Sequence, residues 1–146
     1  MKTQDKKLNP FHLAISVKDL EKSELFYKNI LGCKKGRHTS SWIDLNFFGH
    51  QLVLHKVNQN SIPKDYNTNP VDGESVPIPH FGVVLCWNEW QKLADRLKSF
   101  EFNFIIDPYV RFKGKKGEQA TMFFTDPEGN ALEFKSFKDL SMLFES

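Results

Sequence analysis

The strongest constraint on this chain is a repeated order of elements. The segment FHLAISV at residues 11–17 has its counterpart in HFGVVLCW at residues 80–87, and His12 maps onto His80 at an offset of 68 residues. Residues 11–17 alternate, with Phe11, Leu13, Ile15 and Val17 on one face and His12, Ala14 and Ser16 on the other, which is the period of a half-buried strand. Asp19 can cap the next segment, where Phe26 and Ile30, and likewise Tyr27 and Leu31, sit four apart before Gly32. That spacing predicts an amphipathic helix of about three turns. Short strands are expected at residues 33–36, 42–47 and 51–57, with Ser40-Ser41 and Gly49 as breaks. The order then restarts with a strand at 80–87 and a helix carrying Trp90, Leu93, Leu97 and Phe100 behind a capping box of Asn88 and Gln91. Strands at 102–106, 120–125 and 131–137 complete it. Each half reads strand, helix, strand, strand, strand, which defines an α+β fold of two βαβββ units.

The 146 residues suit one domain, and 40% hydrophobic residues with 14 Phe, 3 Trp and 3 Tyr supply its core. The first unit spans residues 9–57 and the second 78–137, with a C-terminal segment at 138–146. Between the units, residues 58–77 (NQNSIPKDYNTNPVDGESVP) are rich in Asn, Pro, Ser, Asp and Gly and read as a linker without regular structure. Cys33 and Cys86 lie far apart and outside any CxxC pattern, which points to a reducing compartment, excludes a zinc knuckle and leaves both as packing residues. No segment approaches the roughly 18 apolar residues of a membrane span, so a cytoplasmic protein with no membrane partner is expected. Lys+Arg 20 against Asp+Glu 18 is too balanced for a nucleic-acid binder.

The repeat places His12 and His80 alike in two equivalent strands, each followed two residues later by a small residue, Ala14 or Gly82. Both should face one concave surface. At the end of the second unit, the turn Asp126-Pro127-Glu128-Gly129 feeds a strand in which Ala131, Glu133 and Lys135 share one face and Leu132 and Phe134 the other. Glu133 is then an acid set mid-strand among apolar neighbours, a costly position unless a cation balances it. Two imidazoles and one carboxylate on a shared surface make a facial set for a divalent metal with open positions. His55 lies with Gln51 and Val53 on the same face of its strand, as a fourth ligand, a general base or a surface histidine. His38 and His50 stand beside turns and read as solvated loop residues.

These segments, FHLAISVKDLEKSELFYKNILGC, HFGVVL and ATMFFTDPEGNALEFKSF, resemble the glyoxalase, bleomycin-resistance and extradiol-dioxygenase superfamily, the vicinal oxygen chelate proteins. The resemblance runs from about Asn9 to Phe137, and the last motif is the most specific. It implies an open, eight-stranded, mixed-sheet cup around a metal, with ligands from the first strand of each unit and the last strand of the second: His12, His80 and Glu133. Lactoylglutathione lyases place a further Glu where aligning GHQLVLH with GNALEFK puts Val53, leaving Gln51 or His55 as substitutes. Bleomycin-binding members usually lack the ligand set that this chain keeps. Extradiol dioxygenases carry a Tyr shortly before the Glu, and residues 118–132 hold none. Fosfomycin-resistance transferases use the same set in a chain of this size, without a close copy here of their substrate-binding sequence. YVRFKG and GEQATMFF look most like small dioxygenase-like members.

The expected function is a metal-dependent enzyme of dioxygenase or lyase type, with Fe(II) as first choice of ion and Mn(II), Zn(II) or Ni(II) close behind. The alternative is a binding protein that sequesters a small molecule without turnover. Related folds often pair, so a homodimer is possible. Residues 108–118 (PYVRFKGKKGE) concentrate Arg111, Lys113, Lys115 and Lys116 around two glycines, which suggests an anionic substrate steered by a mobile loop. Tyr109, Arg111 and Lys113, with Gln51, are its candidate contacts, and Glu133 and His55 the candidate catalytic groups.

Overall fold

The computed structural model describes residues 7–60 and 67–145. The first unit begins with β1 (His12–Val17), followed by α1 (Leu20–Leu25), whose first turn is capped as the sequence predicts: Asp19 Oδ1 accepts from the Lys22 N–H at 2.9 Å. The helix then widens into a π-helical turn, Phe26–Ile30, that buries Phe26 and Tyr27, and Gly32 ends it at φ 78°. Strands β2 (Lys34–His38), β3 (Trp42–Phe47) and β4 (His50–Lys56) complete a four-stranded sheet in the order β1-β4-β3-β2, with β1 parallel to β4.

The interval read as linker differs from expectation. Residues 61–66 lie outside the described residues, but 67–78 form a hairpin of β5 (Asn67–Val71) and β6 (Glu74–Ile78). Its turn is Asp72-Gly73, with φ 49° and 84°. Asp-Gly at the centre of a two-residue turn, both residues at positive φ, matches the twist of paired strands, so residues counted as breakers are what closes this hairpin.

In the second unit α2 (Trp87–Ser99) starts two residues earlier than a cap at Asn88 would place it: Cys86 is the cap residue, without a side-chain hydrogen bond, and Asn88 lies inside the helix. Strand β7 is Ile106–Arg111 rather than 102–106, because Phe102 and Phe104 turn inward against Phe124, with ring centroids 5.1 and 6.1 Å from it. β7 also carries Pro108 within a register shift of an edge strand, where a missing N–H is tolerated. With β8 (Gln119–Thr125) and β9 (Ala131–Phe137) it forms the sheet β7-β8-β9.

The predicted strand at 80–87 survives only as two parallel bridges to β9, Phe81 to Leu132 and Val84 to Lys135. Both units thus run a leading segment parallel to their last strand, as the repeat demands. The molecule is α+β, with nine strands in three sheets among the described residues. None of the described helices is long and apolar enough to cross a membrane.

One core joins the units, with Leu54, Phe47 and Tyr27 from the first packed with Leu97, Phe124 and Phe134 from the second. Polar contacts lock the same seam. The Tyr27 hydroxyl donates to the buried Asp126 carboxylate at 2.8 Å, and Asp126 also takes the N–H groups of Glu128 and Asn130, which holds the DPEGN turn in shape. Arg96 of α2 donates to the carbonyls of Ile30 and Asn29 at 2.7 Å, filling acceptors left over at the π-helical turn. Cys33 is buried as expected, whereas Cys86 is exposed and packs nothing away from water.

Candidate functional site

Alternation along β9 puts Leu132 and Phe134 fully into the core and leaves Glu133 and Lys135 on the opposite, half-open face. Glu133 Oε2 stands 3.1 Å from His80 Nε2, while Oε1 accepts from the Thr121 hydroxyl at 2.8 Å and lies 3.8 Å from Lys135 Nζ. His80 is brought there by the leading segment of the second unit, and its ring packs edge-on against Phe123 at 4.7 Å. Its other nitrogen, Nδ1, is 2.7 Å from the Pro77 carbonyl of β6. A carbonyl only accepts, so Nδ1 carries the proton, and in the neutral ring Nε2 presents a lone pair to a carboxylate. Two lone pairs facing at that distance repel unless they share a proton or a cation. This donor set therefore fits a divalent ion.

His12 is held in a similar way in the first unit, donating from Nδ1 to Gln51 Oε1 at 2.8 Å. It stands on the other sheet and is exposed. Among the described residues no group of three His, Cys, Asp or Glu converges as a metal site, so one chain brings together His80 and Glu133 but not His12. Val53, the counterpart of Glu133, is buried; His55 is exposed on β4, in register with Ser16 and Trp42. His50 departs from the loop reading: it opens β4 and its Nδ1 accepts the Phe11 N–H at 2.8 Å, which anchors the chain entering β1. His38 is exposed at the end of β2.

Tyr109 and Arg111 of β7 converge on Asp72 at the tip of the hairpin. The Tyr109 hydroxyl donates to Asp72 Oδ2, and Arg111 places Nε 3.0 Å from Oδ2 and Nη2 3.0 Å from Oδ1. Lys113 lies in the exposed turn that follows. Thr121, Pro77 and Asp72 were not singled out from sequence. Alternation across the β8–β9 pair would have found Thr121, and the Asp-Gly dipeptide would have found the tip. A separate apolar cavity of about 430 Å³ opens between the units, lined by Phe11, Leu13, Phe81 and Val83 among others, and contains neither His80 nor Glu133.

A family model described as Glyoxalase/Bleomycin resistance protein/Dioxygenase superfamily matches residues 9–134. Metallothiol transferase FosB from Lysinibacillus sphaericus is 32% identical over 126 residues, 84% of this chain and 78% of that protein. A glyoxalase/bleomycin resistance protein/dioxygenase from Alicyclobacillus acidocaldarius, known from its crystal structure, is 32% identical with a TM-score of 0.73, over 99% of this chain and 100% of that one. The genomically encoded fosfomycin resistance protein FosX from Listeria monocytogenes shares the fold at a TM-score of 0.65 and 17% identity, over 92% and 97% of the two chains. The chain belongs to the Glyoxalase/Bleomycin resistance protein/Dioxygenase superfamily.

Proposed function

We propose that the protein is a metal-dependent enzyme acting on a small anionic substrate that presents neighbouring oxygens. The observation that carries this reading is the His80–Glu133 pair, with Nδ1 of the histidine committed to Pro77 and Nε2 turned on the carboxylate. His80, Glu133 and His12 would hold the ion, which when bound supplies Lewis acidity toward a substrate oxygen. Since His12 belongs to the other sheet, the set needs a donor from outside the single chain's cluster. The exposed edge strand β1, with Phe11 65% exposed beside His12, favours a second copy of the chain as its source.

The chain's own residues do the rest. Thr121 orients Glu133, Pro77 sets the His80 tautomer, and Arg111 and Tyr109 bind the substrate's anionic end, with Gln51 and Lys113 as further contacts. His55 is the proposed general base. The metallothiol transferase relative favours transfer of a thiol to an electrophilic substrate over the dioxygenase and lyase chemistries. The apolar cavity of about 430 Å³ suits the rival reading, sequestration without turnover.

The test is metal analysis of protein purified without oxygen, followed by a screen of epoxides with thiols, α-ketoaldehyde thiol adducts and catechols. One equivalent of divalent metal per chain and turnover of one class are expected. A chain that stays metal-free after reconstitution, or that binds a compound of these classes and never converts it, overturns the enzyme reading.

A further inference from the structure

Arg111 and Tyr109 make a complete oxyanion receptor, and the chain already fills it. The Arg111 fork meets both oxygens of one carboxylate at 3.0 Å, the bidentate geometry in which guanidinium binds carboxylate or phosphate, and the Tyr109 hydroxyl adds a third donor. The Phe112 ring lies 5.1 Å from the guanidinium carbon and helps hold it in place. The occupant, Asp72, sits at a left-handed φ of 49° on the tip of a two-stranded hairpin, an element that is marginal by itself. Beneath it the hairpin lays Val76 over Phe123, Ile106 and Ala131 of the second sheet, and its Pro77 carbonyl holds His80.

We infer that the Arg111–Tyr109 pair is an anion subsite kept closed by the Asp72 carboxylate, and that a small phosphate, phosphonate or carboxylate enters by displacing the hairpin tip. The charges around it decide between joining and displacing. The recess there, about 410 Å³, is lined by Asp72, Glu74 and Asp107 against the single cation Arg111. An anion added beside Asp72 would meet three carboxylates. An anion that lifts the tip removes two of them together, because Asp72 and Glu74 both ride on the hairpin, and leaves Arg111 facing Asp107 alone. Lifting the tip also uncovers the face that carries His80 and Glu133. This inference rests on the reading of Arg111 and Tyr109 as substrate contacts, and it adds that the substrate's own anion opens the way to the centre.

An internal carboxylate competes with a free one, so the apparent affinity for the anion is lowered by the fraction of time the tip is closed. The test uses the full-length protein without metal and inorganic phosphate or acetate as probe, followed by amide NMR and hydrogen exchange. Asp72→Asn keeps a favoured Asn-Gly turn while removing the charge. It is expected to tighten phosphate binding about tenfold or more, and Arg111→Gln to abolish it in either background. Phosphate should accelerate exchange at amides of residues 67–78 in the wild type and leave β8 and β9 protected. Unchanged affinity in Asp72→Asn, undiminished binding in Arg111→Gln, or a hairpin that phosphate leaves protected would each overturn the inference. Because no metal is present, a negative result for the metal centre leaves this outcome standing, and the converse holds too.

Discussion

Gly82 runs so close over β9 that a Cβ built on it would lie 1.6 Å from the Glu133 carbonyl oxygen. The backbone on either side of Gly82 is bound to β9, since the Glu133 N–H donates to the Phe81 carbonyl at 2.9 Å and the Lys135 N–H to the Val83 carbonyl at 3.2 Å. Glycine here is a requirement of close approach, with no positive φ involved. The approach is what carries His80, two residues earlier, to the carboxylate of Glu133.

Gly82→Ala should therefore force the leading segment off β9. The clash is with backbone, which cannot swing aside, so a loss of about 3 kcal/mol is expected, at the upper end for overpacking. For a chain of this size that corresponds to a fall in Tm of roughly 6 to 12 °C. A thermal melt reads it directly, and an unchanged Tm would mean that the segment does not pair as described. In the first unit Ala14 fills the equivalent place, so Ala14→Gly should cost far less.

Thr121 is a positioning residue for Glu133. Thr121→Val removes the hydroxyl that donates to Oε1 at 2.8 Å and leaves the carboxylate free to rotate. Groups that orient a metal ligand are worth about 10- to 100-fold in metal affinity. That loss should appear in a Mn(II) titration of Thr121→Val with the melting curve of the metal-free protein little changed, and Thr121→Ser should recover most of it. Equal affinities would leave Thr121 a purely structural residue.

If a second copy supplies His12, complementation should reveal it. His12→Ala and Glu133→Ala should each fail to bind the ion as homodimers. A mixture of the two, refolded together, should regain up to one wild-type site per mixed dimer, because the intact donors then meet across the interface. Recovery in the mixture, read as metal content after gel filtration, is the expected outcome. No recovery would mean that the second copy does not supply His12, and an ion bound by His12→Ala alone would place His12 outside the ligand set.

The cysteines should separate by reactivity. Burial pushes the Cys33 thiol up to about 12 from an ordinary value of 9.0, so it stays protonated in the fold, while Cys86 is exposed. Thiolate is the reactive form, so a thiol reagent at neutral pH should count one cysteine in the native protein and two after unfolding. The same burial sets a sign for alkaline stability. The unfolded thiol ionises near 9 and the folded one near 12, so the fold should lose stability as pH climbs through that window. A second fast-reacting thiol in the native state would contradict the packing of Cys33.

What the chain reveals unaided is whatever depends on local period and on repetition. Alternation in HLAISV and ALEFKSF separates the core face from the face bearing His12 and Glu133, because side chains on a strand have a period of two wherever it lies, although Phe11, assigned to the core face, lies before β1 and is exposed. The Asp19 cap and the stop at Gly32 are equally local, and the offset from His12 to His80 carries the element order from one unit to the other. The rest was settled by contacts remote in sequence. Asp72 meets Arg111 across 39 positions, and neither residue's neighbours hint at the other. Phe102 left its expected strand because aromatic partners in the core outcompeted pairing, and His12 stays apart from His80 because equivalence in a repeat fixes a residue's place within its own unit and says nothing of the distance between units. Such distances depend on how whole sheets pack, and packing is decided by summed surface and shape that no short window of sequence contains.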